Sequence, residues 1–532
     1  MESNRKTILT EHQLNNCSKK ELISLCKVLM EQNQEINKKL DNLMEQIKLA
    51  NHYRFGSSSE KDTYYEQTDL FFNEVEATAD ITKPEPEFEE IVPKPYKRKK
   101  QKGKREDDLS KFPVVTIEHK LSEEQCQCEC NNQMHVVTTE STKLLKFIPA
   151  HFEVEEHIVY VYGCHKCDRM IRADKPDTLL RGSIATPSLV AAIMNGKYVN
   201  AVPLARQEAE FERYDINLSR QTMSNWMLRC SEEYLSLLYD ELKNFLLSCK
   251  VIQADETRIQ VLNEEGRKAT DQSWMWVYRS GEMCNAPPVI LFNYETSRSG
   301  YHPKQFLEGY SGFLTSDGYS AYHKLPDEII VSGCFVHARR KFHDCLKVLP
   351  KNQHKGTTAD QAIKRIALLY KIEAFLKDKP AKERYEERLK QSKPVLDAYF
   401  EWLKTLAGGV DTSSLIGKAI NYSLNQKEYL ENYLLDGNIA IDNSATERAI
   451  KPFAVGRKNF LFANTPNGAA ASAIIYSIVE TAKTNGLRPY DYLLHVLTEI
   501  PKHYKGTSHK FLKDLLPWSD KLPDNCKSKK SK

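Results

Sequence analysis

The feature that most constrains the fold is a change of hydrophobic pattern near residue 250. Three runs rich in β-branched and aromatic residues follow one another there, with turn residues between them: VIQADETRIQVL, SWMWVYRS and PVILFNYE. A short helical segment, PKQFLEGY, comes next, and GFLTSDGYSAY then predicts a fourth strand followed by a helix. EIIVSGCFVH predicts a fifth strand. The sequence therefore predicts the order β-β-β-α-β-α-β.

This order matches the core of the ribonuclease-H-like fold, and acidic residues mark its first and fourth strands. Asp255 lies in the middle of the first strand and Asp317 at the end of the fourth. These strands are neighbours in that fold, so the two carboxylates are expected to converge. Glu447 lies in a helix that opens with small polar residues at 442–444, which are good helix caps. That helix can place the carboxylate of Glu447 beside these two strands.

Three such carboxylates suit the chemistry of phosphodiester bonds. Cleavage needs an activated water or 3′-hydroxyl and a stabilised leaving oxygen, and two Mg²⁺ ions roughly 3.5–4 Å apart supply both. Mg²⁺ prefers oxygen ligands and keeps several waters, so a few carboxylates suffice. Any single acid says little in a chain with 72 acidic residues. The prediction rests on three acids placed at the matching elements of one strand order.

The rest of the chain is expected to form further units, because 532 residues are too many for one compact core. The predicted class is a multidomain α/β protein with a ribonuclease-H-like catalytic core. Its predicted units are a coiled-coil helix (1–55), a flexible basic linker (56–110), a zinc-binding module (111–175), a helical, helix-turn-helix-like region (176–245), the catalytic domain (246–345 and 435–488), an all-helical insertion (346–434) and a C-terminal helix with a basic tail (489–532).

Residues 20–50 carry apolar side chains in heptads. The two rows of the predicted a/d seam are Leu22, Leu29, Ile36 and Leu43, and, four residues after each, Cys26, Asn33, Leu40 and Ile47. Asn33 is polar at an a position, where an asparagine tends to fix the register of a parallel dimer. The sequence predicts dimerisation through this helix; the alternative is an amphipathic helix that docks on its own chain.

The formal net charge is only +4, so any affinity for nucleic acid depends on where the positive charge lies. Positions 94–105 hold eight lysines and arginines. Such a block cannot bury apolar surface and is expected to be disordered. It either tracks a phosphate backbone and releases counterions, or it is a solvated linker that happens to be basic.

Five of the 13 cysteines cluster in the predicted zinc module: Cys126, Cys128, Cys130, Cys164 and Cys167. The last two form a C-x-x-C turn after a strand, a spacing typical of zinc sites. The C-x-C-x-C run lacks such a pair, so which of its sulfurs bind is open, and His135 and His165 are further candidates. A structural Zn²⁺ is predicted; the alternative is a set of free buried thiols.

The segment PLARQEAEFERY-DIN-LSRQTMSNWM resembles a helix-turn-helix, with Ser219 as the cap of the second helix. Arg220, Gln221 and Asn225 would lie on the side of that helix that faces bases. The same geometry also occurs as packing without DNA.

Other polar residues are expected near the carboxylates. Cys334 and His337 follow the fifth strand, and His337 has either a catalytic or metal-binding role or a buried structural pairing. Further residues are interpreted as contacts to DNA phosphates, with solvated or acid-paired side chains as the alternative: Arg339, Arg340, Arg448, Arg457, Lys458 and Asn459.

No apolar stretch follows the opening MESNRKT, and no run of about 18 apolar residues is present to span a bilayer. A reducing, cytoplasmic compartment without a membrane partner is therefore expected. In such a compartment, clustered cysteines more often bind metal than form disulfides.

A set of motifs makes nearly the whole chain similar to one family. They are YRFGSSSEK, the paired cysteine cluster, NGKYVNAVPLARQEAEFERYDINLSRQTMSNW, ADETRIQV, YETSRSG, SDGYSAY, GCFVHARRKF, GKAINY, DGNIAIDNSATERAIKPFAVGRKNFLFA, GAAASA and TAKTNGLRPYDYL. With these motifs the chain resembles the insertion sequence 66 transposases of bacterial mobile elements.

The resemblance implies a DDE-type transposase that binds the element's terminal inverted repeats and target DNA. It implies strand cleavage and transfer by Asp255, Asp317 and Glu447 with two Mg²⁺ (or Mn²⁺) ions, together with a leucine-zipper-like helix, a structural Zn²⁺ and a helical insertion. A homodimer or higher oligomer, associated with the bacterial nucleoid, is expected. Elements of this family often carry companion open reading frames, whose products are candidate partners.

The sequence also allows two other interpretations. One is a DNA-binding regulator descended from such an enzyme with an inactive site, and the presence of all three acids argues against it. The other is a ribonuclease-H-like nuclease. The predicted zipper and zinc module instead favour a protein that brings two DNA ends together.

Overall fold

The structure, a computed structural model, describes only part of the chain in detail. The described residues are 18–20, 24, 26–28, 30, 31, 33, 152–163, 170–174, 178–503 and 509–528. The chain divides into two compact units, one formed by Ser59–Lys175 and the other by Met1–Ser58 together with Pro176–Lys532.

In the unit Ser59–Lys175, two short strands form an antiparallel pair. β1 (Val161–Gly163) runs beside β2 (Met170–Arg172), with Tyr162 opposite Ile171. This pair agrees with the β-rich character expected there. The predicted zinc ligands lie outside the described residues: Cys126, Cys128, Cys130, Cys164 and Cys167.

The described residues between 19 and 33 are helical. Two of them belong to the predicted seam, Cys26 and Asn33, and both are exposed. The other seam positions lie outside the described residues, so dimerisation through this helix stays a prediction.

The other unit is built on a five-stranded mixed sheet. Its strands are β3 (Val251–Gln260), β4 (Gln272–Ser280), β5 (Ile290–Glu295), β6 (Gly312–Thr315) and β7 (Ile329–Ser332). The spatial order is β5-β4-β3-β6-β7. The first three strands in sequence form an antiparallel meander, and the last two continue the sheet parallel to β3. All five predicted strands are present.

The connection from β6 to β7 differs from the prediction. A helix was expected after the fourth strand, but the chain forms only a 3-10 turn at Tyr322–Lys324. The buried side chain of Tyr322 donates a hydrogen bond of 2.7 Å to Glu256, which anchors the segment to the sheet. Pro326 then disfavours a helical conformation at the residue before it, so a longer helix has no room to form.

Helices lie before, between and after the strands in the sequence, and they pack around the sheet. Between residues 178 and 250 they are α1 (Pro187–Tyr198), α2 (Leu204–Glu212), α3 (Arg220–Cys230) and α4 (Ser236–Leu247). Within and after the strands follow α5 (Tyr301–Phe306) and α6 (Phe335–Lys347). The predicted insertion is helical, with α7 (Thr358–Leu376), α8 (Ala381–Glu387), α9 (Lys393–Ala407), α10 (Leu415–Asn425) and α11 (Lys427–Glu431). The remaining helices are α12 (Ser444–Phe460), α13 (Pro466–Thr484), α14 (Pro489–His503) and α15 (Leu512–Leu515).

Two hydrophobic cores hold this unit together. One joins the sheet to α1–α4, α13 and α14, and Trp276 and Phe292 are fully buried in it. The other lies between α6 and the insertion helices, around Phe335 and Tyr399. Among the described residues, no helix combines the length and the apolar character needed to cross a lipid bilayer.

Helices also cover the two edges of the sheet. On α13, the Ser477 and Thr481 hydroxyls accept hydrogen bonds from the backbone N–H groups of Phe292 (2.7 Å) and Ile290 (3.0 Å) on β5. At the opposite edge, Asn432 donates a 2.8 Å hydrogen bond to the carbonyl of Val331 on β7. Because exposed strand edges favour aggregation, these side chains protect the sheet.

Candidate active site

The central strand of the sheet carries the first predicted carboxylate. Asp255 lies in the middle of β3, which is flanked by β4 on one side and β6 on the other. Its Oδ1 accepts a 2.8 Å hydrogen bond from the backbone N–H of Glu256. The side chain is half-buried, so it combines a fixed position with limited access to solvent.

The neighbouring parallel strand brings Asp317 to the same region. In the register of β3 with β6, Gln253 lies opposite Thr315, and β6 ends there. Asp317 follows two residues later, as the sequence predicted. Its Oδ1 accepts a 3.0 Å hydrogen bond from the backbone N–H of Tyr319, which holds the turn after the strand in place.

The turn at Asp317 also depends on a close approach by the insertion. A Cβ at Gly318 would lie 2.7 Å from the hydroxyl of Tyr422 on α10. Only glycine fits without displacing that side chain. The helical insertion therefore supports the loop that carries the second carboxylate.

Hydrogen bonds tie the start of α12 to β3. Asn443 donates a 2.7 Å hydrogen bond to the carbonyl of Ala254, and Gln253 donates one of 3.2 Å to the carbonyl of Asp442. Asn443 occupies the N-cap position, but its side chain does not cap the helix as the sequence suggested. It instead fixes the helix beside Asp255, and Glu447 follows one turn along α12.

The electrostatics show that the three carboxylates share one environment. Burial raises the pKa of Asp255 well above its usual range, and the neighbouring charge of Glu256 raises it further. The charges of Asp317 and Glu447 also raise the pKa of Asp255. These groups therefore repel one another when all are ionised.

Glu447 is directed towards basic side chains on α6. Its Oε1 lies 3.4 Å from Nη2 of Arg340 and 3.8 Å from Nε2 of His337. Burial, and next the charge of Arg340, lower the pKa of His337. Nδ1 of His337 is buried without a hydrogen-bond partner in the part of the chain that the structure describes. His337 thus lies beside the third carboxylate. Buried Cys334 accepts a hydrogen bond from the Asn443 N–H.

The carboxylates do not form a complete metal site as they stand. Within residues 178–503 and the other described ranges, no three His, Cys, Asp or Glu side chains are grouped to hold one metal ion. Their chemistry nevertheless suits a hard cation, because carboxylate oxygens are preferred ligands of Mg²⁺. The ion pair between Glu447 and Arg340 holds the third carboxylate in a different contact.

A buried cluster beneath the site was not predicted from sequence. Glu256, next to Asp255, is buried and lies 2.5 Å from Nη2 of Arg298. It also accepts a 2.7 Å hydrogen bond from the hydroxyl of Tyr322. The Arg298 guanidinium lies 3.8 Å from the ring centroid of Tyr319. The sequence feature that indicates this cluster is the pair of adjacent acids in ADET. A second acid beside a predicted metal ligand needs a partner if it is buried.

Several of the predicted phosphate contacts have protein partners in this structure. Arg448 lies 2.6 Å from Glu282, and the amide of Asn459 donates a 3.0 Å hydrogen bond to the Ala201 carbonyl. Arg340 contacts Glu447, as described above. Arg457 and Lys458 are in the last turn of α12 and Arg339 is exposed on α6.

The helix-turn-helix-like segment has the predicted elements. α2 and α3 flank a turn in which Asp215 is left-handed, and Ser219 accepts a 3.2 Å hydrogen bond from the Thr222 N–H as the N-cap of α3. The three residues predicted to face bases are all exposed: Arg220, Gln221 and Asn225. Arg220 Nε is 4.0 Å from Glu208, a loose and exposed contact.

The fold and this site define a multidomain α/β protein whose mixed sheet carries Asp255 on its central strand and Asp317 at the end of the neighbouring strand. The Transposase IS66 family model matches residues 182–471, which include all three acids. Models described as the IS66 C-terminal element, the zinc-finger binding domain of transposase IS66 and Transposase C of IS166 homeodomain match residues 477–518, 123–168 and 42–117. The chain belongs to the IS66 transposase family.

Relatives span most of the chain. The uncharacterized protein y4qI of Sinorhizobium fredii is 30% identical over 507 residues, which cover 92% of this chain and 90% of the relative. The uncharacterized protein y4jD of the same organism is 31% identical over 409 residues, covering 74% and 78%. The match at 123–168 contains the five cysteines of the predicted zinc site. The match at 42–117 covers the end of the predicted coiled coil and the basic linker.

Proposed function

We propose that this chain is the transposase of a bacterial insertion sequence, which binds the terminal inverted repeats and catalyses DNA strand cleavage and transfer. The observation that carries the proposal is the placement of the three acids: Asp255 lies on the central strand β3, Asp317 follows the end of the neighbouring parallel strand, and Glu447 lies one turn along a helix that is tied to the same strand. The strand order, a meander followed by two parallel strands, supports a ribonuclease-H-like core.

In this proposal Asp255, Asp317 and Glu447 hold two Mg²⁺ or Mn²⁺ ions. When bound, such ions activate the attacking oxygen and stabilise the leaving oxygen of an in-line displacement. Burial and the neighbouring carboxylate charges raise the pKa of Asp255, and this supports the assignment because a bound cation would offset both. Glu447 has to leave Arg340 to join the two aspartates.

Arg340 has a second role in this proposal, as a phosphate ligand. Once its guanidinium no longer contacts Glu447, it can bind a phosphate of the cleaved strand through two parallel hydrogen bonds. The same ion pair that neutralises Glu447 in the absence of DNA thus becomes a phosphate contact in its presence. His337, which lies beside both, is placed to bind the same phosphate.

DNA contacts away from the carboxylates are assigned to the polar and basic residues that the sequence predicted. We assign Arg220, Gln221 and Asn225 to base edges in the element's ends, since they lie together on the exposed side of α3. Phosphate contacts are assigned to Arg339, Arg448, Arg457, Lys458 and Asn459. The N-terminal helix is assigned to dimerisation, and companion proteins of the element remain candidate partners.

The test is cleavage of labelled DNA that carries the element's own terminal sequences, with Mg²⁺ or Mn²⁺, by wild type and by Glu447→Gln. Wild type is expected to nick specifically at the ends, and the variant to bind the same DNA without cleaving it. The amide keeps the shape of the side chain but loses the charge that a divalent ion needs.

The matched control is Glu401→Gln, which alters an exposed glutamate of the insertion that pairs with Lys404 at the surface. This variant should cleave like wild type. Cleavage by Glu447→Gln at the wild-type rate would refute the assignment of the third acid. Binding without cleavage in every protein, wild type included, would point either to a missing companion protein or to a DNA-binding regulator.

Replacing Cys164 by Ser is expected to lower the zinc content of the purified protein and to destabilise the module at 111–175. A thiolate ligand is lost, and zinc binding contributes directly to the folding free energy of small modules. Metal analysis of the protein measures the effect, with Cys26→Ser as control because Cys26 is exposed on the N-terminal helix. Unchanged zinc stoichiometry in Cys164→Ser would exclude this residue as a ligand.

A further inference from the structure

The turn that follows α12 exposes two large apolar side chains in a strained conformation. Leu461 has φ of 61°, in the left-handed region that non-glycine residues rarely adopt. Its side chain is 64% exposed, and that of Phe462 is 44% exposed. An unfavourable backbone conformation that displays apolar side chains to solvent points to a function at this position.

The surrounding fold imposes this conformation. The N–H of Leu461 donates a 2.6 Å hydrogen bond to the carbonyl of Arg457, the last hydrogen bond of the helix. Two residues later the N–H of Ala463 donates one of 2.9 Å to Gln260, and the N–H of Leu262 donates one of 3.0 Å back to Ala463. The turn is therefore fixed between the end of α12 and the end of β3.

A lysine lies next to this turn, and it has no acidic partner within the described part of the chain. Nζ of Lys197, on α1, is 5.1 Å from the ring centroid of Phe460 and 5.5 Å from that of Tyr198. Burial lowers the pKa of Lys197 to about 8. Among the residues that the structure describes, Lys197 forms no ion pair, so the ammonium group is held against aromatic rings with its charge uncompensated.

We propose that Lys197, Phe460, Leu461 and Phe462, the α12 exit surface, bind the DNA of the element's end and unstack its bases. Lys197 contacts a backbone phosphate, and Leu461 and Phe462 lie against the faces of the unstacked bases. A lysine that forms no ion pair with any described residue, beside exposed apolar side chains, matches DNA. Proteins that kink duplexes insert apolar side chains between base steps while basic groups hold the phosphates. This inference rests on the proposed function and adds a contact that none of the predicted DNA-binding residues supplies.

Two independent paths give the distance of this surface from the carboxylates. Leu461 is fourteen residues along α12 from Glu447, about 21 Å at roughly 1.5 Å per residue. Val261, which bridges to Ala463, is six residues along β3 from Asp255, about 20 Å at roughly 3.3 Å per residue. At about 3.4 Å per base pair, the unstacked step lies about six base pairs from the cleaved phosphate.

The experiment uses the full chain and end DNA with 2-aminopurine placed in turn at each of the first ten or so positions from the cleavage site. Its fluorescence rises when the base is unstacked. Wild type is expected to raise the signal several-fold around the sixth position. Leu461→Gly and Phe462→Ala are expected to abolish this rise, and Lys197→Met to reduce the slope of log affinity against log salt by about 0.9.

Leu461→Gly separates contact from folding, because glycine adopts positive φ without strain and the variant should melt no lower than wild type. Phe375→Ala is the matched control: Phe375 is 68% exposed on the insertion helix α7, far along the chain from this turn. It should leave fluorescence and binding unchanged.

The outcomes separate the two proposals. If wild type binds and cleaves the end DNA but no base is unstacked, or the Leu461 and Phe462 variants match wild type, the inference is wrong and the proposed function stands. If wild type does not bind end DNA at all, both are wrong. A change of oligomeric state in Phe462→Ala, with the fluorescence rise kept, would make the surface a contact between copies of the chain.

Discussion

Replacing Asp255 by Asn is expected to abolish strand cleavage by this protein and to leave its binding to end DNA within about twofold. The amide has nearly the same shape, so the hydrogen bond from the N–H of Glu256 can persist. It lacks the charge needed to hold a divalent ion, and loss of several kcal/mol of transition-state stabilisation corresponds to at least roughly a thousandfold in rate. Phosphate contacts that determine binding are untouched.

The same substitution carries a second signature. Because burial and neighbouring carboxylates disfavour the ionised form of Asp255, removing its charge should raise the melting temperature of the protein in EDTA at neutral pH. Stability gained with activity lost is the pattern expected of a site built for function. Asp327→Asn, an exposed aspartate in the loop before β7, is the matched control and should change neither quantity. If Asp255→Asn cleaves DNA at nearly the wild-type rate, the assignment of the active site is wrong.

The elements of the sheet-containing unit could be predicted from the sequence because their signals are local. Alternating and β-branched runs predicted β3–β7, and Ser219 predicted the start of α3. The contacts that converge on the site could not be predicted in this way. Asn443 was expected to cap a helix, and its amide instead bonds the carbonyl before Asp255, a partner 189 positions away in the chain.

The same holds for the supports of the two aspartates. Position 318 requires glycine because the hydroxyl of Tyr422 lies against it, and Tyr422 belongs to the distant helical insertion. Buried Glu256 pairs with Arg298, and the two residues come together only when the strands of the sheet pair. Local patterns therefore placed the acids on their elements, whereas the packing that orients them depends on residues distant in sequence.

The acidic partners of two arginines could not be predicted from the sequence. Arg340 and Arg448 were interpreted as phosphate contacts, and in this structure each contacts a glutamate. The two interpretations are compatible in a protein that meets DNA only during its reaction, since an exposed ion pair contributes only about 0–1 kcal/mol and exchanges readily for a phosphate. The Glu447–Arg340 pair is the clearest case, because it joins the acid proposed to be catalytic to an arginine proposed to bind phosphate.

Replacing Arg388 by Met is expected to be the most destabilising single change in the insertion. Its guanidinium is fully buried and donates to both carboxylate oxygens of Glu373, at 2.9 and 2.6 Å. It also donates to the carbonyls of Tyr433 and Asp436, each at 2.9 Å. Methionine fills a similar volume but leaves Glu373 charged and nearly buried without its partner, which costs about 3–5 kcal/mol.

This cost should appear as a fall of roughly 10 °C in the melting transition that includes the insertion. The double variant Arg388→Met/Glu373→Met should recover much of the loss, because no uncompensated charge then stays buried. Lys390→Ala, which removes an exposed partner of Glu387 on the same segment, should shift the transition by no more than about 2 °C. Since the insertion also seats Tyr422 against Gly318, Arg388→Met should lower cleavage at temperatures where the insertion has begun to unfold. An Arg388→Met protein as stable as Lys390→Ala would mean that the buried pair contributes nothing net and that the helices of the insertion are held by their apolar core alone.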